Sequence, residues 1–591
     1  VMKKSVKLMS ILMALVMVLS ACGGKTEEAN GVTGTYEGKA KGHNGDVVLE
    51  VEFKNSKIEK ITVKSSEESA GIGDKAIEKL TEEVIANNTV DVDTVAAATV
   101  TSNAFIDAVK DAITNAGLKV EDFAKAADKE DDKEEDKTGE TKEVEKDVVV
   151  VGAGGAGLVS AIKAKEEGAD VIVLEKMPVV GGNTLISGAE YAAPGNWLQE
   201  KEGIEDSKED FAKDVEKAGG DKDLIKVLAD NALAGAEWLR DEANVEWTDE
   251  LMFFGGHSVK RSLIPKGQSG SELITKLNKK AEDLGIEILT DTEAYELLAK
   301  DGTITGLKAK TKDGELVVNA KSVILTSGGF GANAEMCYEN DKEVDDKIHS
   351  TNAVGSTGDG IKMAEAVGAA TVGMEHIQLY PVCDVETGRL LYTGDTRLAA
   401  GALLVNKEGK RFVEELDTRR AISMAIKAQT DSVAYQIWDE KSAVESGMMD
   451  HENEAKDLME RGLMVKADTI EEAAKHFGID EKALVETVNH FNEMSEAGED
   501  KDFNLRRLGF TVDKAPFYII KASPAVHHTM GGVKIDTDAR VIDTEGNVIK
   551  GLYAAGEVTG GIHGENRLGS VAIADITVFG LIAGENAAAG K

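Results

Sequence analysis

The segment Gly152-Ala153-Gly154-Gly155-Ala156-Gly157 constrains the fold of this chain more than any other. It follows directly on a run of valines, Val148 to Val151, that reads as a buried strand, and it opens a helix from Leu158 to Glu167 with Gly168 as its stop. A strand that turns on glycines into a helix offers backbone N–H groups and the positive end of the helix dipole to a pyrophosphate. The glycines permit the sharp turn, the approach of the phosphates and close packing of helix on strand. A second strand, Asp170 to Leu174, ends in Glu175, eighteen residues beyond Gly157, where a carboxylate accepts hydrogen bonds from ribose hydroxyls. The pattern predicts a dinucleotide site in a Rossmann-like α/β domain.

NAD and FAD both use this device. Two further segments point to FAD: Gly181-Gly182-Asn183-Thr184 soon after Glu175, and the late strand Gly551-Leu-Tyr-Ala-Ala that runs into Gly556-Glu557. Ser327-Gly328-Gly329-Phe330-Gly331 follows another strand, Val323 to Thr326. Together these resemble the FAD-binding motifs of the fumarate reductase and succinate dehydrogenase flavoprotein superfamily, and the resemblance runs from Lys146 onward. It implies a non-covalently held FAD contacted on its flavin side by Gly556 and Glu557. It also implies an α/β architecture in which the FAD-binding domain carries an inserted α+β capping domain.

His527-His528-Thr529-Met530-Gly531-Gly532 and His563-Gly564-Glu565-Asn566-Arg567-Leu568-Gly569 look like the substrate motifs of the soluble, single-chain fumarate reductases. By that resemblance His527 and Arg567 hold a substrate carboxylate. The physics agrees: a guanidinium fork pairs bidentately with a carboxylate, and a histidine beside it adds a charge-assisted hydrogen bond. The alternative is an Arg567 engaged in a surface ion pair. The segment Gly409 to Arg419 places Arg419 on the arginine that acts as proton donor in that group, with Arg420 adjacent. A free arginine is a poor acid, with a pKa above ~12, so it serves only when buried, oriented and resupplied with a proton.

The chain departs from fumarate reductases at one end of the pocket. Their Gln-x-His-Pro becomes Gln378-Leu379-Tyr380-Pro381, and their relay glutamate with an arginine three residues on becomes Asp395 with Leu398. On this reading that end loses a cation and gains a phenol, so a second substrate carboxylate is poorly held. Tyr380 and Asp395 resemble the urocanate reductase branch, in which an imidazole replaces that carboxylate; an aspartate accepts from an imidazole N–H and favours its protonated form. Tyr380 as an ordinary core aromatic is the alternative. Phe253 or Phe254 would cover a flat ring or belong to the core.

The N-terminal part reads differently. Lys3, Lys4 and Lys7 precede an apolar run, Leu8 to Leu19, ending in Ser20-Ala21-Cys22, the pattern of an export signal and too short for a permanent membrane span. Resemblance to bacterial lipoprotein signals implies cleavage before Cys22 and a lipid on its thiol, with residues 1–21 as signal peptide and 22–32 as tether; an ordinary signal peptide or a membrane-associated helix is the alternative. Alternation from Gly34 to Lys64 predicts a meander, followed by helical patterns at Ala76 to Ala86 and Ser102 to Ala116, a small α+β domain over residues 33–120. Asp93-Thr-Val-Ala-Ala-Ala-Thr99-Val-Thr101-Ser102 resembles the flavinylation motif of FMN-binding domains and implies covalent FMN on Thr99, although Ala96-Ala97 stand where that family more often has Ser-Gly. Otherwise Thr101 or Ser102 simply starts the helix. Residues 121–146, rich in Lys, Asp and Glu, read as a solvated linker. The FAD-binding domain then occupies 147–381 and 524–591, with the cap over 382–523.

The formal charge of −39, from 68 basic and 107 acidic residues, argues against a nucleic-acid partner. Besides Cys22, Cys337 and Cys383 stand far apart and in no metal-ligand or haem spacing, so no metal is expected and electrons travel by flavin. The resemblances thus imply an extracytoplasmic, lipid-anchored reductase fed by a membrane electron donor. Hydride would pass from N5 of reduced FAD to the double bond of urocanate, with Arg419 protonating the adjacent carbon to give imidazole propionate. Open alternatives are another enoate such as fumarate or an aryl-acrylate, a dehydrogenase working in reverse and, in a different class, a lipid-anchored flavin electron-transfer protein.

Overall fold

A computed structural model describes residues 31–42, 45–66, 68, 73–92, 94–95, 98–124 and 141–590. The export signal, Cys22 and most of the acidic linker lie outside the described residues. The expected meander is three antiparallel strands, β1 (Gly34–Lys41), β2 (Asp46–Lys54) and β3 (Lys57–Ser65). Val47, Leu49, Val51 and Phe53 alternate along β2 and are fully buried under α1 (Gly73–Asn87) and α2 (Thr99–Asn115). Helix α2 begins at Thr99, three residues ahead of the expected start; the Thr99 side chain lies outside the description. Ser102 is inside the first turn, where its hydroxyl donates to the Ala98 carbonyl (2.8 Å) and accepts from Val95 N–H (3.0 Å).

Both ends of the expected linker are shorter than charge alone predicts. A 3-10 turn, Val120–Phe123, carries Phe123 into the small core against Phe53, and the Phe123 carbonyl accepts from Val90 N–H at 2.9 Å. At the other end Lys142 to Lys146 pair in parallel with Leu316 to Ala320, because strand pairing uses the backbone and does not require apolar side chains.

The second domain is built on β4 (Lys142–Val151), which turns on the glycines into α3 (Gly155–Glu166) and continues to β5 (Val171–Leu174). In its eight-stranded sheet, β5 and Glu287–Leu289 lie on one side of β4, and β6 (Gly314–Leu325) and the late strand Val548–Ala554 on the other, all parallel. Val148 to Val150 have no exposed surface, as a central parallel strand covered on both faces requires. The last helix, Val571–Ala589, packs on α3; it is apolar enough to cross a membrane by composition but lies mostly buried in this core. The glycine turn therefore sits at the C-terminal ends of parallel strands, where such sheets bind ligands.

The cap includes β7 (Ile377–Asp384), α4 (Arg419–Lys427), β8 (Ala434–Asp439) and β9 (Phe517–Thr529). Strands β7 and β9 are antiparallel partners, with Tyr380 opposite Ala525 and Cys383 opposite Ser523, so the chain enters and leaves the cap along one continuous ladder. Pro381 cannot donate to that ladder, and the register slips between Tyr380 and Cys383. A second slip, between Gln378 and Leu379, leaves His527 as the extra residue on β9. Such bulges re-aim side chains, and here the Tyr380 and His527 rings meet at 5.3 Å.

Candidate active site

A cleft at the ends of β4, β5 and β6 is lined by Gly152, Gly154, Gly155 and Ala156 from the turn, by Glu175, and by Gly182, Asn183, Thr184 and Glu557. Gly157, Gly329 and Gly556 lie behind the lining. A Cβ on Gly157 would stand 1.9 Å from the Gly152 carbonyl oxygen, and one on Gly329 would stand 2.0 Å from Thr529 Oγ1, so both positions need glycine for close approach. Glu175 accepts Ala153 N–H on one oxygen and Met177 N–H on the other, both at 2.8 Å, which ties the glycine turn to the loop after β5. Burial pushes its carboxyl up and the two N–H groups pull it back. Glu557 accepts from Thr529 N–H and from Asn183 Nδ2, each at 3.0 Å, while Asn183 Oδ1 accepts Ala353 N–H at 2.7 Å.

This cleft fits a dinucleotide. A Cβ built on Gly154 meets nothing nearer than 3.8 Å and would project over the groove. The turn points the N-terminus of α3 at the same space, and the buried Ser327 hydroxyl beside it has no protein partner.

The other cluster centres on Gln378 of β7. Arg567 Nη2 and Arg419 Nη1 both donate to its Oε1, at 2.9 and 3.0 Å, while its Nε2 donates to Asn566 Oδ1 (3.0 Å) and the Arg567 carbonyl (2.9 Å). Two guanidinium groups thus share one neutral acceptor, and neither forms an ion pair among the described residues. Arg567 Nε is buried without a partner. Burial, followed by the neighbouring Arg419 charge, holds the Arg567 guanidinium down at about 9.

Arg419 is the first residue of α4, whose N-cap Thr418 accepts from Ala421 N–H at 3.2 Å. Its guanidinium lies 4.8 Å from the centroid of the Tyr380 ring. Arg420 turns outward to ion pairs with Asp341 and Glu343, so Arg419 is the one facing the cluster. Tyr380 is 3 % exposed, packed with Cys383 and Ala525, and its hydroxyl donates to Asp395. Burial pushes Asp395 up, and the Tyr380 hydroxyl, Arg397 and Arg419 pull it back. His527 holds Thr351 Oγ1 at 2.9 Å through Nδ1; burial, then Arg419 and Arg567, keep it neutral well below the usual histidine range. Phe254 packs on the backbone of Gly569, two residues past Arg567, whereas Phe253 is 52 % exposed.

Two charged residues here carry no motif. Glu190, half-buried before the short strand Tyr191–Ala192, shares the field of Asp395, Arg567 and Arg419; burial first, and Asp395 as well, push its carboxyl up. The sequence signal is an acid inside the small apolar run Gly188-Ala189-Glu190-Tyr191-Ala192-Ala193. The second is Arg397, and it corrects the expectation that this end has lost its cation. The short helix Thr396–Ala399 turns Leu398 outward, 39 % exposed, and Arg397 inward, 3 % exposed. Arg397 Nη1 donates to the Glu415 carbonyl at 2.5 Å, and its charge acts on Tyr380 and Asp395. A guanidinium therefore stands behind Asp395.

A profile described as "FAD binding domain" matches residues 147–573, and one described as "FMN-binding domain" matches residues 42–114. A urocanate reductase from Eggerthella lenta is 43 % identical over 97 % of this chain and 96 % of its own length. A fumarate reductase (cytochrome) from Shewanella frigidimarina is 40 % identical over 75 % of this chain and 77 % of its own. An NADH:acrylate oxidoreductase from Vibrio harveyi is 35 % identical over 94 % of this chain, which spans 61 % of that protein. The solved open conformation of a flavocytochrome c3 fumarate reductase superposes with a TM-score of 0.68 at 37 % identity, covering 76 % of this chain and 78 % of that one. With FAD and FMN as its cofactors, the chain belongs to the urocanate and fumarate reductase family of FAD-dependent oxidoreductases.

Proposed function

We propose that the chain reduces the C=C bond of urocanate to give imidazole propionate. It does so outside the cytoplasm, tethered by a lipid on Cys22 and supplied with electrons through FMN on Thr99. The observation that carries the substrate is the charge layout. Arg567 and Arg419 converge on Gln378 without a carboxylate partner, and two carboxylates, Glu190 and Asp395, lie within their field. A monocarboxylate with a cationic ring at its far end matches both.

Reduced FAD held in the cleft would supply the hydride. Arg567 pairs with the substrate carboxylate, taking the place of its bond to Gln378. His527, its Nδ1 held on Thr351 Oγ1, adds a second polar contact at the carboxylate. The two groups stabilise the enolate-like charge that develops as the double bond is reduced. Arg419 gives a proton to the carbon beside the carboxylate, and the Tyr380–Asp395 pair against its guanidinium is the return path for that proton. Glu190 and Asp395 orient the imidazole.

Arg397 behind Asp395 favours a second reading, a dianionic enoate such as fumarate. Anaerobic oxidation of a reduced viologen dye separates the two. Oxidation by urocanate and not by fumarate supports the first reading and the reverse overturns it. Oxidation by no enoate supports a flavin electron carrier instead.

A further inference from the structure

Arg567 lies in the loop between His563 and the last helix, so its aim depends on what ties that loop down. Gln378 Nε2 holds Asn566 Oδ1 and the Arg567 carbonyl. Ser570 accepts Ala192 N–H on its carbonyl at 3.1 Å, and its hydroxyl meets that of Ser262 at 2.6 Å. The Gly569 carbonyl oxygen takes the Ser570 hydroxyl at 2.5 Å and lies 2.9 Å from His257 Nε2.

His257 is 5 % exposed and lies parallel to the Phe211 ring. Its Nδ1 stands 3.0 Å from Arg261 Nη1. A guanidinium can only donate, so Nδ1 is the acceptor, the ring proton sits on Nε2, and His257 donates it to Gly569. Arg261 has no exposed surface; it bonds both oxygens of Asp206 at 2.9 Å and reaches Asp214 at 2.7 Å. Asp214 is paired in turn with Lys217 at 2.6 Å. Burial holds His257 down at about 4, against the pull of the Gly569 carbonyl and the two carboxylates, with Arg261 reinforcing the burial. The same loop sets Phe254 against the backbone of Gly569.

We infer that His257 is a positioning residue for Arg567: as a neutral Nε2–H imidazole it links the Asp206–Arg261–Asp214 cluster to the Gly569 carbonyl and fixes where the guanidinium meets the substrate carboxylate. The inference rests on Arg567 being the carboxylate grip. The position needs one acceptor and one donor carried far enough from the backbone to lie between Arg261 and Gly569. Glutamine offers both on its terminal amide, leucine neither, and asparagine is too short to reach both partners.

The test compares His257→Gln, His257→Leu and Arg567→Gln in the full-chain holoenzyme. It reads KM and kcat for urocanate and, without turnover, the affinity for imidazole propionate from its perturbation of the flavin spectrum. The expected result is a rise of about tenfold or more in KM and product Kd for His257→Leu, with His257→Gln within about threefold of the parent and flavin content unchanged. If His257→Leu purifies without flavin, His257→Asn takes its place with the same expectation. Equal behaviour of the glutamine variant and the leucine or asparagine variant overturns the inference. So does an unchanged KM in the latter when Arg567→Gln raises it. An unchanged KM in Arg567→Gln overturns the grip reading itself.

Discussion

Glu190 decides whether the far end of the site welcomes a positive or a negative group, because Asp395 already accepts from Tyr380 and has Arg397 behind it. Glu190→Gln is expected to raise KM for urocanate about tenfold, an ordinary loss for one buried charge partner, and to leave KM for fumarate equal or lower. Burial and Asp395 raise the Glu190 pKa above the usual 4.5. As pH falls through that raised value the carboxylate is neutralised, so kcat/KM for urocanate falls on the acid side, and Glu190→Gln flattens that limb of the profile. Tyr380 and Asp395 are bonded to each other and do not act independently. The double replacement Tyr380→His with Asp395→Glu is expected to shift the kcat/KM ratio toward fumarate by more than the two single changes combined. Arg419, His527 and Arg567 are legible from sequence because each sits in a local motif. Glu190 and Arg397 lie in no motif and, like the bonds of Gln378 to both arginines, take their roles only when segments distant in the chain are brought together. For Arg397 the rotation of one short helix decides which of two neighbouring residues faces inward.

At the level of elements, the strand–turn–helix around the glycines is legible because backbone sterics leave so few sequences that can make it. Two substitutions separate its two tasks. Gly157→Ala places a Cβ 1.9 Å from the Gly152 carbonyl oxygen, so β4 and α3 must move apart. Loss of bound FAD together with a lower thermal midpoint is expected. Gly154→Ala projects its methyl over the cleft, so FAD loss is expected with the midpoint of the apoprotein unchanged, measured by flavin absorbance and calorimetry. In the cap, Arg411 bonds both oxygens of Glu415 and of Asp500, and all three side chains are buried. Arg411→Met leaves two carboxylates buried without their cation and is expected to destabilise the protein by about 3–5 kcal/mol. The Arg411 hydrogen bonds and charge lower Asp500 to about 2 against its burial. Its contribution to stability is therefore present above pH ~3.8, the unfolded value, and is lost as pH falls toward about 2. Nothing in the periodicity of residues 409–500 announces this cluster, because ion pairing in a core depends on which helices fold back. The linker is shorter than its composition suggests for a related reason: composition reports what can be buried, whereas Phe123 is held by the Phe53 ring and by Thr89 and Val90 on its carbonyl, and Lys142 to Lys146 by backbone pairing together with the Asn319–Glu143 bond and the Lys146 ion pairs.

Over the whole molecule, a small sheet-and-helix domain precedes a large one that has the dinucleotide cleft. This division matters for electron flow. If Thr99 carries FMN covalently and the chain works outside the cytoplasm as proposed, the small domain keeps its flavin where a dissociated cofactor would be lost, while FAD remains exchangeable in the large one. Thr99→Ala puts a strong helix former at the first residue of α2. The variant is therefore expected to fold and to retain its releasable FAD. It is expected to lose the flavin fluorescence that stays with the polypeptide in a denaturing gel. A small reduced dye that reaches FAD directly should still drive urocanate reduction at close to the parent rate, whereas electron delivery from membrane vesicles should fall at least tenfold, since the relay has lost its first carrier. Persistence of gel fluorescence in Thr99→Ala would show that another residue bears the flavin. Undiminished vesicle-driven turnover after the fluorescence is gone would show that electrons enter the large domain without passing through the small one.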